Sequence, residues 1–302
     1  GSSTHPYRGH FDGQGHQISN LVVTSDVKFF GLFGQLGTGA IIENLLLDES
    51  CILYGTDCVA LVGGTDQVSG EVILRNLGNK GNVYASGQQA AGIFGGNSGS
   101  KTALVIENCF STGVIEGSTK SAALVAWAGS NGIKVSNCWS CSEVVGNDFE
   151  NMYLVRHANA TLTNCYCVYG TQFPSMPFDD IQSGALCYKL NGDQTSVAWY
   201  QNLDNGMVDD CPVPFANGHA QVFPKGKIFC DGSVDETTVV YSNNNQTIIP
   251  DHEFEDGFCQ VCGTEDTGYT GFLPNIINPD YNSNGNNWEG DALSIANGVA
   301  QQ

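Results

Sequence analysis

Positive charge is scarce in this chain. Eleven Lys and Arg stand against 31 Asp and Glu in 302 residues, a formal net charge of −20. No basic face is available to track a phosphate backbone or to hold an anionic bilayer, so nucleic acid and electrostatic membrane anchoring drop out as partner classes. Long apolar runs are missing too. None approaches the ~20 residues of a membrane-spanning helix, and the first residues show no basic-then-apolar export signal. The expectation is a soluble chain with no membrane span, from which any export signal has been removed. Nucleophile elbows, a Ser-His-Asp order and phosphate loops are likewise absent. What remains is 41% apolar residues, enough for a sizeable core, with 38 Gly and only 14% charged residues. That composition excludes disorder and predicts a turn-dense β protein with little helix.

A short motif, apolar-x-Asn-(Leu/Cys), recurs at Ile18–Leu21, Ile42–Leu45, Leu74–Leu77, Ile106–Cys109, Val135–Cys138 and Leu162–Cys165. Its asparagines, Asn20, Asn44, Asn76, Asn108, Asn137 and Asn164, step by 24, 32, 32, 29 and 27 residues. A second element lies upstream of most of them: Gly31-Leu-Phe-Gly34, Ala60-Leu-Val-Gly63, Gly92-Ile-Phe-Gly95, Ala123-Leu-Val-Ala126 and a weaker Tyr153-Leu-Val-Arg156. A third follows in three repeats, near Gly81–Val83, Gly113–Ile115 and Glu143–Val145.

Three short apolar strands separated by Gly/Ser/Asn turns make one coil of a solenoid. The fold class expected is all-β, a right-handed parallel β-helix (solenoid) followed by a small Cys-rich β region with a short helix. Equivalent residues of successive coils should stack ~4.8 Å apart, the six asparagines in one column. An antiparallel sandwich is the competing fold, but it gives no reason for Asn to return at equivalent places.

Residues 9 to 170 resemble the GLUG-motif repeats of surface and secreted proteins from gut bacteria of the Bacteroides and Prevotella type (Bacteroidetes). Gly9-His-Phe-Asp-Gly-Gln-Gly-His-Gln-Ile-Ser-Asn-Leu21 is similar to that family's opening coil, and Gly31–Gly34 to its name motif. Ala123–Ala126 and Tyr153–Arg156 depart from the pattern, so irregular last coils are expected. The resemblance implies a secreted or cell-surface location, and the missing strands before Gly9 suggest a larger polypeptide with flanking domains.

Four regions are expected: coils over 1–170, a helix-containing connector or cap over 171–219, a Cys/His ribbon over 220–265, and from 266 to 302 the start of a truncated jelly-roll module. Asp179 and Asp180 are candidate N-caps of one helix through Leu190, ended by Asn191-Gly192. The jelly-roll reading rests on a resemblance at Asn278-Pro-Asp-Tyr281 and Trp288.

The twelve cysteines fall into groups. Cys109, Cys138 and Cys165 take the inward place of Leu21, Leu45 and Leu77, which suits buried thiols acting as small hydrophobes. Cys51 with Cys58, and Cys187 with Cys211, are candidate disulfides. Cys230, His252 and Cys259-Gln-Val-Cys262-Gly form a Cys3His set with knuckle spacing, which points to a structural zinc ion. A disulfide, Cys259–Cys262 or Cys230–Cys262, is the alternative. The set also looks like the ribbon that trails similar β-helical proteins.

Chemistry is harder to find. A lyase for acidic polymers needs clustered cations and a base, yet Arg75 and Lys134 stand singly on different coils. A glycosidase needs two convergent carboxylates, whereas Glu43 and Glu107 have Arg75 between them and should form an outward charge ladder. The position two after each Asn points outward and reads Val22, Leu46, Gly78, Phe110, Trp139, Tyr166. Phe110, Trp139 and Tyr166 make an aromatic row that either stacks a glycan chain or is covered by the segment after residue 170 as a second core. The expected function is non-enzymatic: adhesion to a glycan or host surface, glycan binding, or a structural spacer. The alternative is an accessory or catalytic β-helix of a polysaccharide-degrading enzyme, glycosidase ahead of lyase.

Overall fold

A computed structural model describes the chain apart from residues 67, 98–101, 128–131, 147–152, 158, 193, 205, 247–248, 269–293, 297–298 and 302. By its contacts the chain divides into two compact units, residues 1–223 with 241–243, and residues 224–240 with 244–302. Residues 278–288, on which the jelly-roll expectation rests, lie outside the described residues.

The first unit is a parallel β-solenoid. Its long sheet stacks His10–Ile18, Ile41–Leu47, Gly70–Asn79, Thr102–Glu107, Ile133–Ser136 and Ala160–Thr163, each strand parallel to the one a repeat away. Past the corner asparagine the same sheet runs on through Phe110–Ser111, Trp139–Ser140 and Tyr166–Cys167. A second sheet stacks Val22–Thr24, Ile52–Gly55, Asn82–Ala85, Ile115–Glu116 and Val144–Val145. The third joins Phe33–Leu36, Val62–Thr65 and Phe94–Asn97, then continues by single bridges through Val125 and Val155. This all-parallel pairing between neighbouring repeats is incompatible with an antiparallel sandwich.

The asparagine has a backbone reason. Asn44, Asn76, Asn108, Asn137 and Asn164 all take left-handed conformations, with φ between 50° and 57°. After glycine, Asn tolerates that region best, and it turns the chain sharply between two strands. The amides then bond to one another along the axis in two runs, Asn44–Asn76–Asn108 and Asn137–Asn164, with the Asn108 Oδ1 between them left without a partner among the described residues. Asn76 Nδ2 donates to Asn44 Oδ1 at 2.8 Å, Asn108 Nδ2 to Asn76 Oδ1 at 3.1 Å, and Asn164 Nδ2 to Asn137 Oδ1 at 2.8 Å.

Asn20 does not belong to this column, contrary to the repeat alignment. Its first place is held by Asp12, whose Oδ1 accepts from Asn44 Nδ2 at 2.9 Å. A bulge between Asp12 and His16 carries the turn instead, with Gln14 and Gly15 at φ 55° and 73°. Measured from Asp12 to Asn44 the first step is 32 residues, equal to the next two. Asn20 lies at a later corner, where its N–H donates to Ser50 Oγ. By the same shift Gln17, not Val22, pairs with Leu46, and Val22 starts the second sheet.

Inside the coils the columns are apolar. Ile42, Leu74, Ile106 and Val135 form one, and Leu45, Leu77, Cys109, Cys138 and Cys165 another, all in one buried cluster. Each fully buried Leu or Ile gives about 1.5–3 kcal/mol, gained only because a neighbouring coil covers it. Glycines of the second motif allow close approach of coils: a Cβ on Gly31 would lie 1.9 Å from the Ala60 carbonyl oxygen. The far end of the third sheet is finished by one side chain. Gln172 Oε1 accepts the N–H groups of Leu154 and Val155, and its Nε2 donates to the Val155 carbonyl, replacing a further strand.

After the last coil come two helices rather than one, α1 (Phe178–Gln182) and α2 (Ala185–Asn191), parted at Gly184 with φ 87°. Asp179 and Asp180 are not caps. They occupy the first turn of α1, after Pro177, where carboxylates suit the positive end of the helix dipole. Asp180 pairs with Lys189 of α2 at 2.6 Å, and Gly192 ends α2 as the sequence suggested.

From residue 223 onward the strands Phe223–Ile228 and Val234–Ser242 pair, as do Phe254–Glu255 and Phe258–Cys259.

Candidate metal centre and the aromatic row

In the second unit, Cys259 lies in the hairpin strand Phe258–Cys259 and Cys262 in the tight turn after it. Gly263 N–H donates to the Cys259 carbonyl at 2.9 Å and Cys259 N–H to the Thr264 carbonyl at 2.8 Å, which folds the knuckle. Cys230 and His252 complete a cluster whose four ligand atoms all lie within 4.8 Å of one another. Cys230 Sγ stands 3.4 Å from Cys259 Sγ and 3.0 Å from Cys262 Sγ, and His252 Nδ1 is 3.3 Å from Cys262 Sγ. Three sulfurs and one ring nitrogen thus converge on a point, which a single S–S bond would not require.

The electrostatics match a thiolate site. Desolvation alone would raise Cys259, yet backbone N–H groups of Cys262 and Val261, then His252, bring its thiol down to about 5. Cys262 is lowered by the Thr264 hydroxyl, then by Cys230 and the Thr264 N–H. Cys230 carries the opposing burden and is pushed up to about 12, chiefly by the bond to Cys262. His252 is raised by its contact with Cys259. Sulfurs served by backbone N–H groups inside a knuckle are the surroundings that a divalent cation with soft ligands needs. The residues present therefore fit a metal ion, held by Cys230, His252, Cys259 and Cys262.

The aromatic row forms as the alternation predicted. Gly78, Phe110, Trp139 and Tyr166 follow one another in register. The rings of Phe110 and Trp139 are parallel within 2° at 5.2 Å. Both are fully buried, however. Leu186, Cys187 and Leu190 of α2, Ile181 of α1, and Trp199 cover them, and the Trp199 ring meets Phe110 edge-on at 6.1 Å. Tyr166 is half-buried and donates its hydroxyl to Asn164 Oδ1 at 2.8 Å. In this arrangement Phe110 and Trp139 present no face to a pyranose, because the cap needs an apolar surface and takes this one.

The sequence marked Asn191 only as a helix end, not as the residue that holds Trp199 in the cap. Asn191 Oδ1 accepts the N–H groups of Ala198 and Trp199, and its Nδ2 donates to the carbonyls of Cys187 and Trp199. Only the bulky Trp199-Tyr200 pair after a helix end hinted at it.

Elsewhere the charge ladder stands in register as Glu43, Arg75 and Glu107. Glu43 accepts from Arg75 and from His10. The Arg75 bond, against the opposing effect of burial, holds its carboxyl below the usual range. A general acid of a glycosidase needs the opposite shift. No two of the twelve cysteines are joined by a disulfide in this structure; Cys109 N–H donates to Cys138 Sγ at 3.2 Å in the stacked column.

Fold and site together define a parallel β-solenoid with a helical cap and a Cys3His cluster. No family model matches the chain, and no solved structure matches it. It is similar to Halomucin of Haloquadratum walsbyi, 37% identical over 90 residues, which is 30% of this chain and 1% of Halomucin. The matched stretch is therefore a minute part of that relative. No helix among the described residues is long and apolar enough to cross a membrane.

Proposed function

We propose that this chain is a non-enzymatic β-solenoid segment of a large secreted or cell-surface bacterial protein of the GLUG-repeat kind, serving as a spacer that presents neighbouring modules. The observation that carries the reading is the covered row: the stacked aromatic pair of the solenoid, Phe110 and Trp139, is spent on docking the cap. The likeness to a stretch that is 1% of a very long protein supports a unit built into a long chain. A stack of coils suits such a role, since each coil is held by its neighbours and the whole extends along one axis. The Cys3His set is read as a structural zinc site. Four protein ligands close a tetrahedral zinc and leave no position for a catalytic water.

A glycan array probed with the intact chain tests the spacer against adhesion. The spacer retains no glycan at micromolar protein. Retention that disappears in Trp139→Ala, with the fold intact by circular dichroism, would overturn the reading in favour of adhesion. Metal analysis of protein purified without chelator should find one zinc per chain; absence of metal, with the same cysteines oxidised in pairs, would overturn the zinc assignment.

A further inference from the structure

Of the twelve cysteines, only Cys141 and Cys262 are not buried, and Cys262 belongs to the metal cluster. Cys141 follows Ser140 in the long sheet. Ser140 points into the coil, so alternation turns Cys141 outward, toward the cap. There it lines a cleft of about 330 Å³. One wall is the solenoid, with Lys80, Thr112 and Cys141; the other is the cap, with Phe178, Ile181 and Cys211. Thiols thus face one cleft from both sides. Cys187, the partner that sequence spacing offered Cys211, does not line it.

We propose that Cys141 and Cys211 form a disulfide that closes this cleft and staples the segment 178–222 to the solenoid. Two S–H bonds break and one S–S bond forms. Two protons pass to solvent and two electrons to an external oxidant of the disulfide class, such as a thiol oxidoreductase met during export. The surroundings agree. Burial pushes Cys141 up to about 11 and Cys211 up to about 12, while the Lys80 ammonium pulls both thiols the other way. The Cys141 sulfur contributes to the rise at Cys211, whereas Cys187 responds to burial and to Asp209. Cys167, also near Cys141, is fixed on the inner side of the sheet, its Sγ donating to the Tyr169 carbonyl at 2.8 Å. The remaining cysteines of the coils are buried in the interior or at its corners, away from this cleft. The staple needs no assumption about spacer or adhesive function, and its failure would leave that question untouched.

The test is oxidation of the purified, zinc-loaded chain with diamide, then alkylation of residual thiols, proteolysis and mass spectrometry. Expected is a cross-linked peptide joining Cys141 to Cys211, two hydrogens lighter than the separate peptides, and a higher melting temperature. Cys187→Ser should keep the cross-link and Cys141→Ser should abolish it. Wild-type protein needs no substitution for the first readout. The proposal is overturned if Cys141 and Cys211 both remain alkylatable, or if Cys211 is found joined to Cys187 or Cys141 to Cys167.

Discussion

Truncating Trp139 to alanine separates a core from a binding surface. The indole is fully buried, stacked on Phe110 and roofed by the cap. Removing ~200 Å² of buried aromatic surface at ~25 cal/mol per Å² costs about 5 kcal/mol. The stacked pair adds about 1 kcal/mol. Against this, the indole N–H meets no acceptor among the described residues, and a buried orphan donor costs about 1–3 kcal/mol that the truncation relieves. The net expectation is a loss of about 4 kcal/mol, within the range for Trp→Ala in cores. Urea unfolding followed by circular dichroism measures it. Trp139→Phe keeps most of the ring and discards the orphan N–H, so it should cost about 1 kcal/mol or less. A loss below about 1 kcal/mol for Trp139→Ala would refute the second core. Glycan retention by the wild type that this variant lacks would then mark the row as a ligand platform.

Asn76→Ala should cost about 2–3 kcal/mol in the same assay, from a strained left-handed residue and two lost ladder bonds, whereas Asn76→Gly should recover the backbone part. Because Glu43 titrates below its ordinary 4.5, mainly through Arg75, its contribution is complete above that pH and lost as pH falls through the lowered value. Glu43→Gln should therefore narrow its stability deficit to wild type on acidification below about pH 4.5, read by urea midpoints. Chelation should release the metal and unfold the knuckle around Cys259 while the far-UV signal of the coils persists, and affinity should fall in acid as Cys259 is protonated near 5.

Much of the solenoid was legible because its determinants are local. An apolar-x-Asn corner needs a left-handed residue at one place per coil, and Asn44 through Asn164 report it. Asn20 misled because Asp12 does the amide's work in the first coil and a Gly-containing bulge supplies the turn. The Cys-x2-Cys knuckle could be read because its two ligands are three residues apart, and the structure brings in Cys230 and His252 as spacing suggested. What period-two alternation could not say is what covers an outward row. That depends on Trp199 and α2 docking from far along the chain, fixed by Asn191, and no local pattern encodes it. Gln172 ending the third sheet with one amide is equally silent in sequence.

The most direct test is the pairing register of the long sheet, read from interstrand backbone contacts by nuclear magnetic resonance or from a crystal structure. A parallel solenoid requires Ile42, Leu74, Ile106, Val135 and Leu162 to be successive partners, with Asp12, Asn44, Asn76, Asn108, Asn137 and Asn164 in one column about 4.8 Å apart. Antiparallel pairing among these strands, or asparagines scattered over different faces, would contradict it.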